Sequence, residues 1–273
     1  MNPFFWIVDV FSRDKFAGVP SAVFFKEKEE DNFNDNKLLQ NWAMEINLLE
    51  SAFVKPLKNG DFAIECYTPS EKAMYFGNSL FAAAYVIKSQ NPEQKLIFSF
   101  VHKGYIFPVE LPLDGRIKIG FPSFTIVNTN VSAELNNVLS ENSIVSTVEA
   151  GSDLLVELRN FDKLDNLELR YDLLKSMPYD SFIITAAAHS DASLSPDFYT
   201  QVYAQKLGFF SPIATAKSLV KAAIYWEKRL KKSHFICNNL GLKVEIEVSN
   251  NYVFVISSCS ISTRAEILCA QYV

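Results

Sequence analysis

Two corners of the sequence combine residue types that could do chemistry. In the first, Phe76-Gly77-Asn78-Ser79 opens directly into Leu80-Phe81-Ala82-Ala83-Ala84-Tyr85-Val86-Ile87. That run is apolar all round and its alanines favour helix, so it reads as a helix inside a core rather than on a surface. The first turn of such a helix has backbone N–H groups without intrahelical partners, and the helix dipole adds partial positive charge there. Facing a cleft, it would be a ready anion site; capped by Asn78 or Ser79, it is a core helix with no ligand. In the second corner, Phe210-Ser211-Pro212 precedes a mostly apolar stretch over 214–230. The pattern repeats: strands, a turn, one apolar helix. Two helix N-termini aimed into one interdomain cleft would suit a small carboxylate.

Other constellations carry little. His102, His189 and His234 are far apart in sequence and lack metal-ligand spacing, and each reads as a surface or singly hydrogen-bonded histidine. Cys66, Cys237, Cys259 and Cys269 form neither a metal knuckle nor a CxxC pair. Cys66 reads as buried packing, and reduced cytoplasmic thiols are expected. P-loop, GxGxxG and GxSxG motifs are absent from the sequence. No metal and no cofactor is expected.

The elements that must position these corners follow from periodicity. Length 273 suggests two domains, and 49% hydrophobic residues suffice for full cores. A net charge of −5 without a long basic run argues against nucleic-acid binding. No apolar run approaches the ~20 residues of a membrane span. The N-terminus is interrupted by Asp9 and reads as a strand rather than a signal peptide. Strands are expected over 4–11, 21–25, 50–54, 62–67, 95–100, 104–109 and 116–120. Residues 26–36 read as an exposed connection and 37–46 as an amphipathic helix. Phe121-Pro122 looks like a hinge. Beyond it, helices are expected over 132–139, 171–176 and 214–230, and strands over 153–158, 181–185, 198–205, 242–248 and 252–257. Lys217, Lys221 and Lys228 share one wetter helical stripe, and 266–272 reads as a return to the first half.

Taken together, 8–25, 42–54, 65–87, 150–167 and 203–226 resemble the phenazine-biosynthesis PhzF family in order and spacing. The resemblance implies an α/β (α+β) chain of two pseudo-symmetric domains, with a diaminopimelate epimerase-like fold. Each domain would be a curved, mostly antiparallel sheet around a central helix. The lobes are expected at 1–120 (with a strand at about 264–273) and 121–263. It further implies a cytoplasmic homodimer and a cofactor-independent isomerase or epimerase that shifts a proton on a small carboxylate metabolite in the interdomain cleft. No nucleic-acid or membrane partner is expected.

Site residues follow position by position. The family's acid/base glutamate falls on Glu50, within Asn47-Leu48-Leu49-Glu50-Ser51. The Cys-Gly-His-Ala-Thr corner becomes Phe76-Gly77-Asn78-Ser79-Leu80, with Asn78 in place of histidine. The second corner becomes Phe210-Ser211-Pro212-Ile213-Ala214-Thr215-Ala216-Lys217, with Ser211 for aspartate, Thr215 for glycine and Ala216 for serine. The early Gly-Asn-Pro loop is Gly18-Val19-Pro20. Glu50 is thus the expected proton shuttle, and Gly77, Asn78, Ser79, Ser211, Thr215 and Ala216 the expected substrate contacts. Asn78 hydrogen-bonds but cannot titrate usefully, so a single shuttling carboxylate survives the change while a two-base mechanism lacks an evident partner. The alternative is a catalytically impaired relative serving as a ligand-binding or protein-interaction module. Lys217 is either solvated surface or a partner for an anionic ligand.

Overall fold

A computed structural model describes residues 4–25, 35–74, 76–91, 95–139, 144–160, 164, 167, 169–188, 196–204, 206 and 211–268. Residues 26–34 of the connection expected at 26–36, together with His189, Phe210 and Cys269, lie outside the described residues; Asp35 and Asn36 instead cap and begin the first helix, Asn36–Ile46. The chain divides into two compact units, 1–122 with 256–273, and 123–255.

In the first unit the elements are β1 (Phe4–Val10), β2 (Val19–Phe25), α1 (Asn36–Ile46), β3 (Ser51–Pro56), β4 (Phe62–Tyr67), α2 (Asn78–Gln90), β5 (Ile97–His102), β6 (Tyr105–Glu110) and β7 (Ile117–Pro122). The second contains β8 (Val127–Thr129), α3 (Ala133–Val138), β9 (Ile144–Ala150), β10 (Asp153–Leu158), α4 (Tyr171–Ser176), β11 (Ser181–Ala187), β12 (Phe198–Tyr203), α5 (Ala216–Leu230), β13 (His234–Asn239), β14 (Leu242–Val248) and β15 (Tyr252–Ser257). β16 (Cys259–Glu266) returns to the first unit and pairs antiparallel with β1. It ends at Glu266, where the sequence suggested that the return begins.

The strand order is β16-β1-β2-β3-β4-β5-β6-β7 in the first unit and β15-β14-β13-β12-β11-β10-β9-β8 in the second. Both place parallel pairs at equivalent points: β2 with β3 and β4 with β5, then β10 with β11 and β12 with β13. Each parallel pair brackets a helix, α1, α2, α4 or α5, because parallel neighbours need a crossover. The other described ladders are antiparallel.

α2 is the buried rod that the sequence suggested. Asn78 through Ala84, Val86 and Ile87 are all buried. It contacts β16, β1, β2 and β3, and also β7 at the far end of the unit's strand order. Seven strand steps at ~4.8 Å would separate β16 from β7 by roughly 33 Å in a flat sheet, whereas a helix is only ~10–12 Å across. The sheet must therefore curl around α2. Among the described residues no helix is long and apolar enough to cross a membrane.

α1 obeys its sequence signals. The Asp35 side chain accepts from the N–H groups of Lys37 and Leu38, and Asn47 ends the helix in the left-handed region at φ 54°. Leu39, Trp42 and Ala43 are buried. They join Phe24 and Phe53, whose rings stack at 4.7 Å.

Gly18, ahead of β2, is fixed by close approach. A Cβ there would stand 2.4 Å from the carbonyl oxygen of Val10, a backbone atom that cannot swing aside. Gly18→Ala is expected to destabilise the protein by about 1–3 kcal/mol through overpacking. Urea unfolding monitored by circular dichroism measures this; an unchanged midpoint would show that the backbone yields at no cost.

Candidate active site

Glu50 immediately precedes β3, and its backbone carbonyl accepts from the N–H of Ala22 on β2 at 3.1 Å. The parallel β2–β3 pair thus fixes where its side chain leaves the sheet. The residue is only 7% exposed. Its carboxylate accepts from the Gly77 N–H, 3.2 Å from each oxygen, and from the Ser79 N–H at 2.7 Å. Gly77 is the N-cap of α2 and has no side chain with which to cap it. Glu50, just ahead of β3, supplies the acceptor. The orphan donors of the first turn and the positive end of the dipole favour an anion at this point. The anion they hold is the protein's own.

Ser79 does two jobs. Its N–H donates to Glu50, and its hydroxyl donates to Cys66 Sγ on β4 at 3.3 Å. Burial, followed by the charge of Glu50, pushes the Cys66 thiol well above its ordinary value. It is therefore a packing thiol and not a thiolate base. Asn78, at the start of α2, is fully buried. His102, at the end of β5, packs edge-on against Phe76 at 5.0 Å, and its Nδ1 lies 2.9 Å from the carbonyl oxygen of Ile64. Burial lowers its pKa below 6.5. It is buried with a single hydrogen bond, one of the two settings that the sequence allows it.

Glu50, Gly77, Asn78 and Ser79 therefore meet at the start of α2. In the second unit, Thr215 and Ala216 form the start of α5, and Ser211 lies four residues ahead of Thr215 in the chain. Ser211 is exposed, and Ala216 is buried as the first helical residue. Thr215 is the N-cap: its hydroxyl accepts from the Ser218 N–H at 3.2 Å and lies 2.7 Å from the Ser218 hydroxyl. This helix closes its own end, where α2 borrows a carboxylate.

The three lysines of α5 do not form one wet stripe. Lys217 pairs with Asp153 at 3.2 Å. Lys221, whose side chain is 2% exposed, donates to the same Asp153 oxygen at 2.6 Å and to the Ala150 carbonyl at 2.5 Å. Helical periodicity places Lys221 correctly relative to Lys217, but it cannot anticipate an aspartate at the head of β10. Further along α5, Tyr225 donates to the buried Glu157, which also pairs with Arg229 at 3.1 Å. Burial and that carboxylate push the Tyr225 phenol up to about 12.

The model of one family, described as phenazine biosynthesis-like protein, matches residues 8–246. The chain belongs to the PhzC-PhzF family. An uncharacterized isomerase of Halalkalibacterium halodurans is 23% identical over 96% of this chain and 97% of its own length. The trans-2,3-dihydro-3-hydroxyanthranilate isomerase of Pseudomonas aeruginosa is 31% identical over 91 residues, 33% of this chain and 31% of that enzyme. The crystal structure of a PhzF family protein from Enterococcus faecalis matches with a TM-score of 0.86 at 22% identity, covering 98% of this chain and 100% of the other. That likeness is one of fold. In this fold the Glu50 carboxylate is held by backbone N–H groups at the start of α2, whereas the start of α5 is capped by the Thr215 hydroxyl.

Burial opposes the Asp153 charge, but Lys217 and Lys221 together outweigh it and hold the carboxyl below its ordinary 3.8. The charged form is thus favoured in the fold. Its stabilisation is present above pH 3.8 and lost as pH falls through the lower folded value. The stability gap between the wild type and Asp153→Asn is expected to close below that pH, as urea midpoints across an acid series would show. Lys221→Met is expected to cost less than the ~3–5 kcal/mol of a fully stranded buried charge, because Lys217 still faces Asp153, and to cost less again in an Asp153→Leu background. Equal costs in both backgrounds would mean that the pair is not coupled.

Proposed function

We propose that this PhzC-PhzF family member is a cofactor-independent isomerase that moves a proton between two carbons of a small carboxylate, with Glu50 as the shuttle. The observation that carries this reading is the Glu50 carboxylate seated on the Gly77 and Ser79 N–H groups at the start of α2. Glu50 accepts a proton from an acidic C–H, and the electron pair left behind delocalises toward an adjacent unsaturated or carbonyl group. The carboxylic acid so formed returns that proton to a second carbon of the delocalised system. No electrons leave the substrate, and no second base is required. The Gly77 and Ser79 amides hold the base in position. They are therefore assigned to Glu50 rather than to the substrate, in contrast to the expectation from sequence.

The Asn78 amide is the proposed donor to the developing oxyanion, a role that hydrogen bonding alone can fill. Ser211, Thr215 and Ala216 are proposed as the opposite wall, with the substrate in the interdomain cleft that the family resemblance implies. The isomerase names of the relatives support the reaction class. A homodimer in the cytoplasm is the proposed working form, and the free thiols Cys66, Cys237 and Cys259 fit a reducing compartment.

A second reading rests on Asn78 and Thr215. The family's histidine is gone, and the Thr215 hydroxyl is committed to its own helix, as in a relative that binds a ligand or a protein without turnover.

Glu50→Gln separates the two readings, because the amide oxygen still accepts from α2 while the base is lost. In D2O, the wild type is expected to incorporate deuterium into one or more members of a panel of small unsaturated carboxylates. Glu50→Gln should slow this by roughly 10²–10⁴, the usual worth of general acid–base catalysis. Absence of exchange by the wild type, or equal exchange by both proteins, would favour the binding module.

A further inference from the structure

A second cluster of chemistry-bearing side chains lies on the outer face of the β13–β14 hairpin, unrelated to Glu50. The connection is Leu240-Gly241, with both residues at positive φ (54° and 83°), as a two-residue type I′ turn requires. That tight turn fixes the register: His234 faces Glu247, and Ile236 faces Glu245. Side chains alternate, so Phe235, Cys237, Val244 and Ile246 point inward and are buried. His234, Glu245 and Glu247 are left together on the opposite face. A one-residue slip would bury these three and expel four apolar side chains, so their placement is strongly specified.

Among the described residues, these three form a group whose metal-ligating atoms all lie within 4.8 Å of one another. His234 Nε2 and a Glu245 oxygen are 2.8 Å apart. Ligands ~2.1 Å from a tetrahedral ion stand roughly 3.4 Å from each other. Closing the group around an ion needs only ~1 Å of movement, within the reach of flexible glutamate side chains. With a neutral imidazole the trio carries two negative charges, matched to a divalent cation. Lys243 is the next residue along this face of β14, on the side of Glu245 away from Glu247. Lys232 is held 2.5 Å from Asp197.

We propose that His234, Glu245 and Glu247 form a binding site for a zinc-class divalent ion. One nitrogen and two carboxylate oxygens suit zinc better than calcium or magnesium, which favour all-oxygen sets. The ion would take the place of the proton shared between His234 and Glu245, leave a fourth position for water, and clasp the open end of the hairpin. Sequence spacing misses the site because its ligands lie on two strands. The hairpin register discloses it.

The test is calorimetric titration of the full chain with Zn2+ near neutral pH. One equivalent is expected to bind. His234→Ala and Glu247→Gln should each weaken binding at least ~10-fold, since losing even an outer-shell partner of a ligand costs ~10–100-fold. Glu50→Gln and Cys237→Ser should bind like the wild type, because neither side chain belongs to this face. The His234 ring protons should shift in the NMR spectrum as the ion is added. Failure of the wild type to bind would overturn the site. So would unchanged binding by His234→Ala, or a loss confined to Cys237→Ser.

Discussion

The structure turns on one electrostatic contact, the Glu50 carboxylate against the first turn of α2. A helix buried along almost its whole length has no water with which to satisfy its leading N–H groups. Left unpaired, each would cost about 1–3 kcal/mol. Glu50 removes that cost for the Gly77 and Ser79 amides and in turn is relieved of the penalty of carrying charge at 7% exposure. The contact also spans three parts of the first unit: the start of β3, the β4–α2 connection, and the helix around which the sheet curls. The group best suited to chemistry is thus also a structural keystone, which confines substitutions that preserve the fold to near-isosteres.

The two units solve the same problem differently. Their strand pairings repeat, down to the placement of the parallel neighbours. Yet α5 is capped by Thr215, its own residue, and its lysines are drawn to Asp153 at the head of β10. A helix that caps itself does not need a carboxylate from a neighbouring strand. The second unit keeps the architecture while its buried charges hold α5 against the sheet. On this repeated frame the two units differ in which residue satisfies each helix end.

Much of this was legible in the residues. The apolar run after Gly77 is a buried helix, and residues 62–67, 153–158, 171–176, 242–248 and 252–257 form the elements that their patterns suggest. Glu50 came from motif order, since nothing in a lone glutamate before a strand marks it. Four strands escaped periodicity. β8, Val127–Thr129, is only three residues long, too short to show an alternation. β13 carries Ile236 on its outer face, which spoils the alternation; β9 mixes Ser146 and Thr147 into an apolar run; β16 is polar along most of its length. Lys221 was misread for a different reason. Its burial depends on Asp153, 68 residues away in sequence, and helical phase carries no information about such a partner.

The place of β16 bears on how the chain comes off the ribosome. The second unit is continuous in sequence, 123–255, whereas the first is completed only by 256–273. At ~5–20 residues per second, the exposed side of β1 and part of the groove around α2 must wait roughly 7–27 s while the intervening segment is made. During that interval β1 offers an unpaired edge to any passing strand. The later-encoded unit can finish first, and the earlier one is sealed last by a polar strand whose composition makes it a poor seed for aggregation.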